Sequence, residues 1–120
     1  MLIEVLKAKL HQVTVTDSNL NYMGSLEVDE ALLHKAGLME FEKVQVINLN
    51  TGDRAETYLI KGKKGSGCVS LNGGMARVGE PGDKLLVLSF CLAEPAEARR
   101  IKPTIVFVDS KNRPVNKKGI

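Results

Sequence analysis

The chain has 120 residues, 43% of them hydrophobic and 26% charged, proportions of one soluble globular domain with a single core. Tryptophan is absent and aromatics are 4%, so that core must be aliphatic. The net charge is +3, too modest to require a polyanionic partner, and the longest nearly apolar run, Leu85 to Ala93, is too short for a membrane-spanning helix.

In chain order, most segments read as short strands. Leu10 to Thr16 alternates apolar and polar side chains, as a half-buried strand does. Asp29 is a candidate N-cap for a helix over Glu30 to Ala36, with Gly37 as its stop. Val44 to Leu49 alternates again, Thr51-Gly52-Asp53 supplies turn chemistry, and Glu56 to Ile60 returns as a strand. Cys68 to Leu71 is a short strand between glycine-rich stretches. Leu85 to Phe90 is apolar enough to be covered on both faces. Pro95 to Arg100 suggests a second short helix with Pro95 at its first position. Thr104 to Val108 and the turn Asp109 to Asn112 complete the pattern. Many short strands with one or two short helices predict a mainly β protein closed into a small barrel.

From Glu94 onward, seven Lys/Arg face three Asp/Glu, a balance of +4 that leaves −1 for the rest of the +3 chain. This reads as a solvated basic tail rather than a nucleic-acid or membrane surface, and residues 113–120 are expected to be loose. Residues 1–120 are read as one domain. Cys68 and Cys91 form no CxxC pair, and Glu4, Lys7 and Lys9 interrupt any apolar signal region. Reduced thiols and a cytoplasmic location are expected.

The chemistry concentrates in a few residues. Ser25 follows Gly24, and a serine hydroxyl can attack the carbonyl carbon of its own preceding peptide bond. Glycine tolerates the distorted backbone this requires. Elimination of the resulting ester would convert Ser25 into an N-terminal ketone, a pyruvoyl group. Gly-Ser alone usually means a turn, so partners are needed. The Thr57 hydroxyl could polarise the Gly24 carbonyl. Lys9 and Arg54 are candidates for holding carboxylates, Arg54 through its planar fork; Lys9 is placed at the start of the first strand and Arg54 on a hairpin turn. Tyr58 is a candidate proton donor; Tyr22 is ambiguous and His11 reads as structural. Asn72-Gly73-Gly74-Met75 offers open backbone N–H groups to an anion, without a phosphate-loop pattern. No cluster has metal-ligand spacing.

Together these residues resemble the pyruvoyl-dependent aspartate 1-decarboxylases. The anchors run from Lys9-Leu10-His11 through Thr16 to Tyr22, Gly24-Ser25, Arg54 with Thr57-Tyr58, Asn72-Gly73 and Gly79 to Asp83, to Lys102-Pro103. The resemblance implies a double-psi β-barrel, assembled as a homotetramer with active sites between subunits. It implies self-cleavage into chains 1–24 and 25–120, the second headed by a pyruvoyl group from Ser25, with no metal and no pyridoxal phosphate. It implies decarboxylation of L-aspartate to β-alanine and CO2, feeding pantothenate and coenzyme A synthesis, through a Schiff base between that ketone and the substrate amine. By matching position, Thr57 assists cleavage and contacts substrate, Tyr58 donates the proton, and Lys9 and Arg54 hold carboxylates. Asn72 and the backbone of Gly73, Gly74 and Met75 complete the pocket. Whether maturation is spontaneous or needs a maturation factor is left open.

Three departures stand out. Met23 stands where an acidic residue is frequent, Glu56 where serine is, and Gly74-Met75 where two alanines are. Met75 is expected to crowd the pocket unless it contributes only its backbone. The alternatives are an unprocessed β-barrel binding module, or a related decarboxylase with another amino acid as substrate.

Overall fold

The computed structural model describes residues 1–116; residues 117–120, part of the expected loose tail, lie outside the described residues. The strands are β1 (Ile3–Thr14), β2 (Asp17–Asn19), β3 (Ser25–Asp29), β4 (Lys43–Asn48), β5 (Arg54–Gly62), β6 (Val69–Asn72), β7 (Lys84–Ala93), β8 (Thr104–Val108) and β9 (Pro114–Val115). Two α-helices, α1 (Glu30–Ala36) and α2 (Pro95–Ala98), and a 3-10 helix (Gly73–Arg77) complete the described chain.

The strands follow the order β2-β6-β3-β5-β4-β7-β1-β8-β9. β1 lies near one end of this order and β2 at the other, yet only Val15 and Thr16 separate them in the chain. The strip must therefore curl until its ends meet, which makes a small barrel and leaves little open edge. The link itself is bonded across the seam: Thr16 N donates to the Val69 carbonyl at 2.8 Å, and Val69 N donates to Thr16 Oγ1 at 2.9 Å. Register shifts in β1 between Leu6 and Ala8 and between His11 and Val13 bend the strand as bulges do; Gln12, at φ 63°, lies within the second.

Period-two alternation sets the core. Leu10, Leu26, Val46, Leu59, Leu71 and Val87 are fully buried, one from each of six strands, and the core is aliphatic as the composition requires. Helix α1 starts where Asp29 Oδ1 accepts from Ala31 N at 2.8 Å. It stops at Gly37 (φ 72°), whose N–H donates to the His34 carbonyl. Leu32, Leu33 and Ala36 turn inward. The Asp29 carboxylate also accepts from Gly65 N and Gly67 N, tying α1 to the loop before β6.

Asn112 closes the barrel from the other side. It is 1% exposed and adopts φ 61°, a region asparagine tolerates better than most residues. Its carboxamide accepts from Thr14 N and donates to the carbonyls of Thr14 and Gly67, each at 2.8 Å. Asn112→Ala strips all three bonds and leaves buried polar backbone unpaired. It is expected to cost about 3 kcal/mol, read as a lowered midpoint in urea unfolding; a midpoint unchanged from wild type would show that water replaces these bonds. The same turn corrects the expected looseness of residues 113–120 in part. Pro114–Val115 pair with β8, and Asp109 N donates to the Arg113 carbonyl at 2.9 Å.

Glu42 joins three elements. Its carboxylate accepts from Lys7 Nζ at 2.6 Å, Ser89 Oγ at 2.5 Å and Met39 N at 3.1 Å. Burial pushes its carboxyl up, but the bonds from Lys7, Ser89 and Met39 together hold it below the ordinary 4.5. A depressed carboxylate stabilises the fold above its unfolded-state value, and the contribution is lost as pH falls through the folded-state value. Glu42→Gln is therefore expected to melt below wild type at pH 7, with the gap narrowing below pH 4.5. Thermal melts followed by circular dichroism across that range check this, and a gap constant into acid would refute it.

Both cysteines are free, and burial pushes the Cys68 thiol up, away from nucleophilic chemistry. Among the described residues, no helix is long and apolar enough to cross a membrane.

Candidate active site

Ser25 opens β3, a strand that the sequence reading did not anticipate. It is 2% exposed and pairs with Asn72 at the end of β6. Leu26 pairs with Leu59 of β5 in parallel. Continuing that register sets Tyr58 level with Ser25 and Thr57 level with Gly24. Leu26, Leu59 and Leu71 point into the core, so alternation turns Ser25, Tyr58 and Asn72 to the other face. Three strands thus deliver the three groups to one row.

Gly24 rests directly on Gly73. A Cβ placed on Gly73 would lie 2.5 Å from Gly24 Cα, 2.6 Å from Gly24 N and 2.8 Å from the Tyr22 carbonyl oxygen. Gly73 also adopts φ 61°, a conformation that favours glycine. On Gly24, a Cβ would lie 3.8 Å from both the Asn72 carbonyl oxygen and Gly74 N, so these backbone groups stand beside Gly24. Beside Gly74 there is open space. The glycine pair therefore forms a cradle that any side chain at residue 73 would fill, with room for a small group beyond it.

The Asn72 carboxamide is 4% exposed and held at both ends. Its Oδ1 accepts from Ser70 Oγ at 2.8 Å, and its Nδ2 donates to Glu27 Oε1 at 3.3 Å. Ser70 and Glu27 share the Ser25 face by alternation. Neither was singled out in the sequence, Glu27 because β3 was missed and Ser70 because only its bond to Asn72 gives it a part here. The signal was present in Ser25-Leu26-Glu27-Val28, whose period-two pattern is that of a half-buried strand.

Other expected residues are placed differently. Met75 is 7% exposed and packs in the aliphatic core, so its side chain leaves the pocket uncrowded; Val78 N caps its carbonyl at 3.0 Å. Lys9 lies well inside β1, because the strand begins at Ile3; its neighbours Ala8 and Leu10 are fully buried, so Lys9 faces outward. Arg54 is the first residue of β5 and exposed, not part of the turn. It shares the Tyr58 face four residues earlier, about 13 Å along the strand. Glu56 lies between them and pairs with Lys43 at 3.4 Å. β1 stands four steps from β3 in the strand order, roughly 19 Å along the curved sheet. One chain therefore brings Gly24, Ser25, Asn72, Gly73 and Gly74 together, with Thr57 and Tyr58 just beyond the paired residues of the adjacent strand, Arg54 further along the Tyr58 face and Lys9 on the outward side of β1. No group of three or more His, Cys, Asp or Glu suited to a metal occurs among the described residues.

Fold and site define a small β-barrel protein with a Gly-Ser junction cradled by a second glycine loop. The family model for aspartate decarboxylase matches residues 1–115. The chain is 53% identical to the aspartate 1-decarboxylase of Caldicellulosiruptor saccharolyticus over 94% of its length and 88% of that protein. It is 52% identical to that of Parabacteroides distasonis, over 92% and 95%, and 46% identical to that of Clostridium botulinum strain Loch Maree, over 93% and 88%. The chain belongs to the aspartate decarboxylase family.

Proposed function

We propose that this chain is an aspartate 1-decarboxylase, converting L-aspartate to β-alanine and CO2 for pantothenate synthesis, and that it does so with a pyruvoyl group made from its own Ser25. The relatives' shared name supports the reaction. The observation that carries the pyruvoyl reading is the Gly24-on-Gly73 contact, which leaves no room for a Cβ at residue 73 beside the bond to be cut.

In the maturation step, Ser25 Oγ attacks the Gly24 carbonyl carbon and the Ser25 nitrogen leaves as an amine, exchanging the amide for an ester. Thr57, level with Gly24, polarises that carbonyl. Loss of the Ser25 Cα proton expels the Gly24 carboxylate and leaves a dehydroalanine, which takes up water and releases ammonia. The pyruvoyl carbonyl so formed supplies an electrophile for the substrate amine and a sink for the electrons left by CO2.

The chain's own groups do the rest. Tyr58 stands level with Ser25 and holds the proton that replaces the lost carboxylate. Asn72, fixed by Ser70 and Glu27, offers one carboxamide orientation to the bound substrate. Gly74 N and the open space beside it accommodate a small anionic group. Arg54 and Lys9 hold carboxylates in a cytoplasmic homotetramer, where a second copy brings outward-facing cations to the site. The exposed Phe90 and Leu92 on β7 support such an assembly, and the free cysteines suit that compartment. With Met75 buried in the core, the reading of a different amino-acid substrate loses its motive.

Fragment masses of the purified protein, with CO2 release from aspartate, test the proposal. Two chains split before Ser25 and turnover of aspartate over glutamate are the expected results. An intact chain that stays inactive, even when co-expressed with a maturation factor, would overturn it.

A further inference from the structure

Phe41 carries two features that stability alone would not select. Its backbone adopts φ 71°, a genuine outlier for a bulky residue. Its ring is 69% exposed, so it contributes little to the core. The Phe41 ring meets that of Tyr58, with centroids 6.3 Å apart and planes tilted by 43°, inside the range of a favourable aromatic pair.

The backbone conformation is held from both sides without help from the ring. Phe41 N donates to the Leu59 carbonyl at 2.7 Å, and Leu59 N donates to the Glu42 carbonyl at 3.0 Å. Glu40 Oε2 accepts from Lys61 N at 3.1 Å, and Glu42 is pinned by Lys7 and Ser89. These bonds run to the strand that carries Tyr58 and to two others. Strain that the surroundings over-determine in this way is found where a side chain must be aimed. Here it aims an apolar ring at Tyr58, whose side chain leaves β5 on the face that Ser25 shares by alternation.

We propose that Phe41 is a positioning residue: its strained turn presents a ring that restricts the Tyr58 side chain and shields it from water. The inference rests on Tyr58 being the proton donor of the proposed decarboxylase. Tyr58 is 37% exposed on the outer face of β5, between β3 and β4, where an unsupported phenol would sample several rotamers. The ring narrows that choice and keeps solvent from delivering the proton in its place.

The test compares Phe41→Asn, Phe41→Tyr and wild type, with rates normalised to the cleaved fraction measured by mass. Asparagine accepts the left-handed backbone, so Phe41→Asn is expected to fold and to melt a few degrees higher. Its kcat should fall about tenfold with KM within about twofold, the split expected when a group acts after substrate binds. Phe41→Tyr should recover most of the rate. The chain has no tryptophan and two tyrosines, so in a Tyr22→Phe background all emission comes from Tyr58. Adding Phe41→Asn there should raise acrylamide quenching about twofold, because the ring no longer covers one side. Unchanged kcat in Phe41→Asn, or unchanged quenching of Tyr58, overturns the proposal. A wild-type chain inactive on aspartate sinks the parent reading instead, and the quenching contrast still decides whether Phe41 shields Tyr58.

Discussion

Gly73→Ala is expected to slow cleavage between Gly24 and Ser25 by at least about 100-fold and to destabilise the fold by about 3 kcal/mol. Two effects add at this position. The φ of 61° strains any residue with a Cβ, and that Cβ would sit 2.5 Å from Gly24 Cα. The obstacle is backbone, so it cannot swing aside as a side-chain tip can. Relief requires Gly24 or the Asn72-Gly73 peptide to move, and either shift displaces the bond that Ser25 must attack. A 1 Å misplacement of reacting groups costs on the order of 100-fold in rate. Gly74→Ala supplies the control, because a Cβ there meets open space: stability within about 0.5 kcal/mol of wild type is expected. Time-resolved fragment masses and urea unfolding read both variants. Equal cleavage rates in the two would remove the Gly24–Gly73 contact from the account.

Ser25→Ala is expected to leave the chain intact at full length and to reduce CO2 release from aspartate to background, a loss of at least about 1,000-fold. The hydroxyl is the sole atom group removed. Ser25 is buried at the start of β3, and alanine there is smaller and apolar, so the barrel should stay folded. Loss of activity in a folded chain then isolates the chemistry from the packing. Mass spectrometry, circular dichroism and a CO2 assay on one preparation suffice. A folded Ser25→Ala chain that still releases CO2 at the wild-type rate would end the pyruvoyl reading while leaving family membership untouched.

Local patterns were readable wherever a segment carries its own signal. Helix α1 was placed from Asp29 and Gly37, and both caps form as expected. β8 spans Thr104–Val108 as anticipated, and the Thr51-Gly52-Asp53 turn joins β4 to β5. β2 was missed because Asp17-Ser18-Asn19 has no apolar alternation; it is a strand because β6 lies alongside to pair with it. β3 was missed because its first residue was read as chemistry and its last as a helix cap, and only three residues remained between. The 3-10 helix over Gly73–Arg77 was hidden by its glycines, which local propensity assigns to turns.

The candidate site divides the same way. Glycine beside serine, a hydroxyl pair at Thr57 and Tyr58, and the Asn72-Gly73 loop are residue types that announce their chemistry in one dimension. Their placement on neighbouring strands was decided in three, since it depends on β3 pairing with β5 on one side and β6 on the other. The side chain of Met75, which could have crowded the pocket, was assigned to the core by the 3-10 turn that carries it. Lys9 and Arg54 are candidate carboxylate ligands by type, and only the fold decided that Lys9 faces outward within β1 and Arg54 shares the Tyr58 face of β5. Sequence by itself determined the alternation, the caps and the reactive dipeptide, because each depends on neighbours within a few positions. Tertiary structure decided which glycine lies against Gly24 and which aromatic ring leans on Tyr58, because strand register between distant segments is set by how the whole core packs.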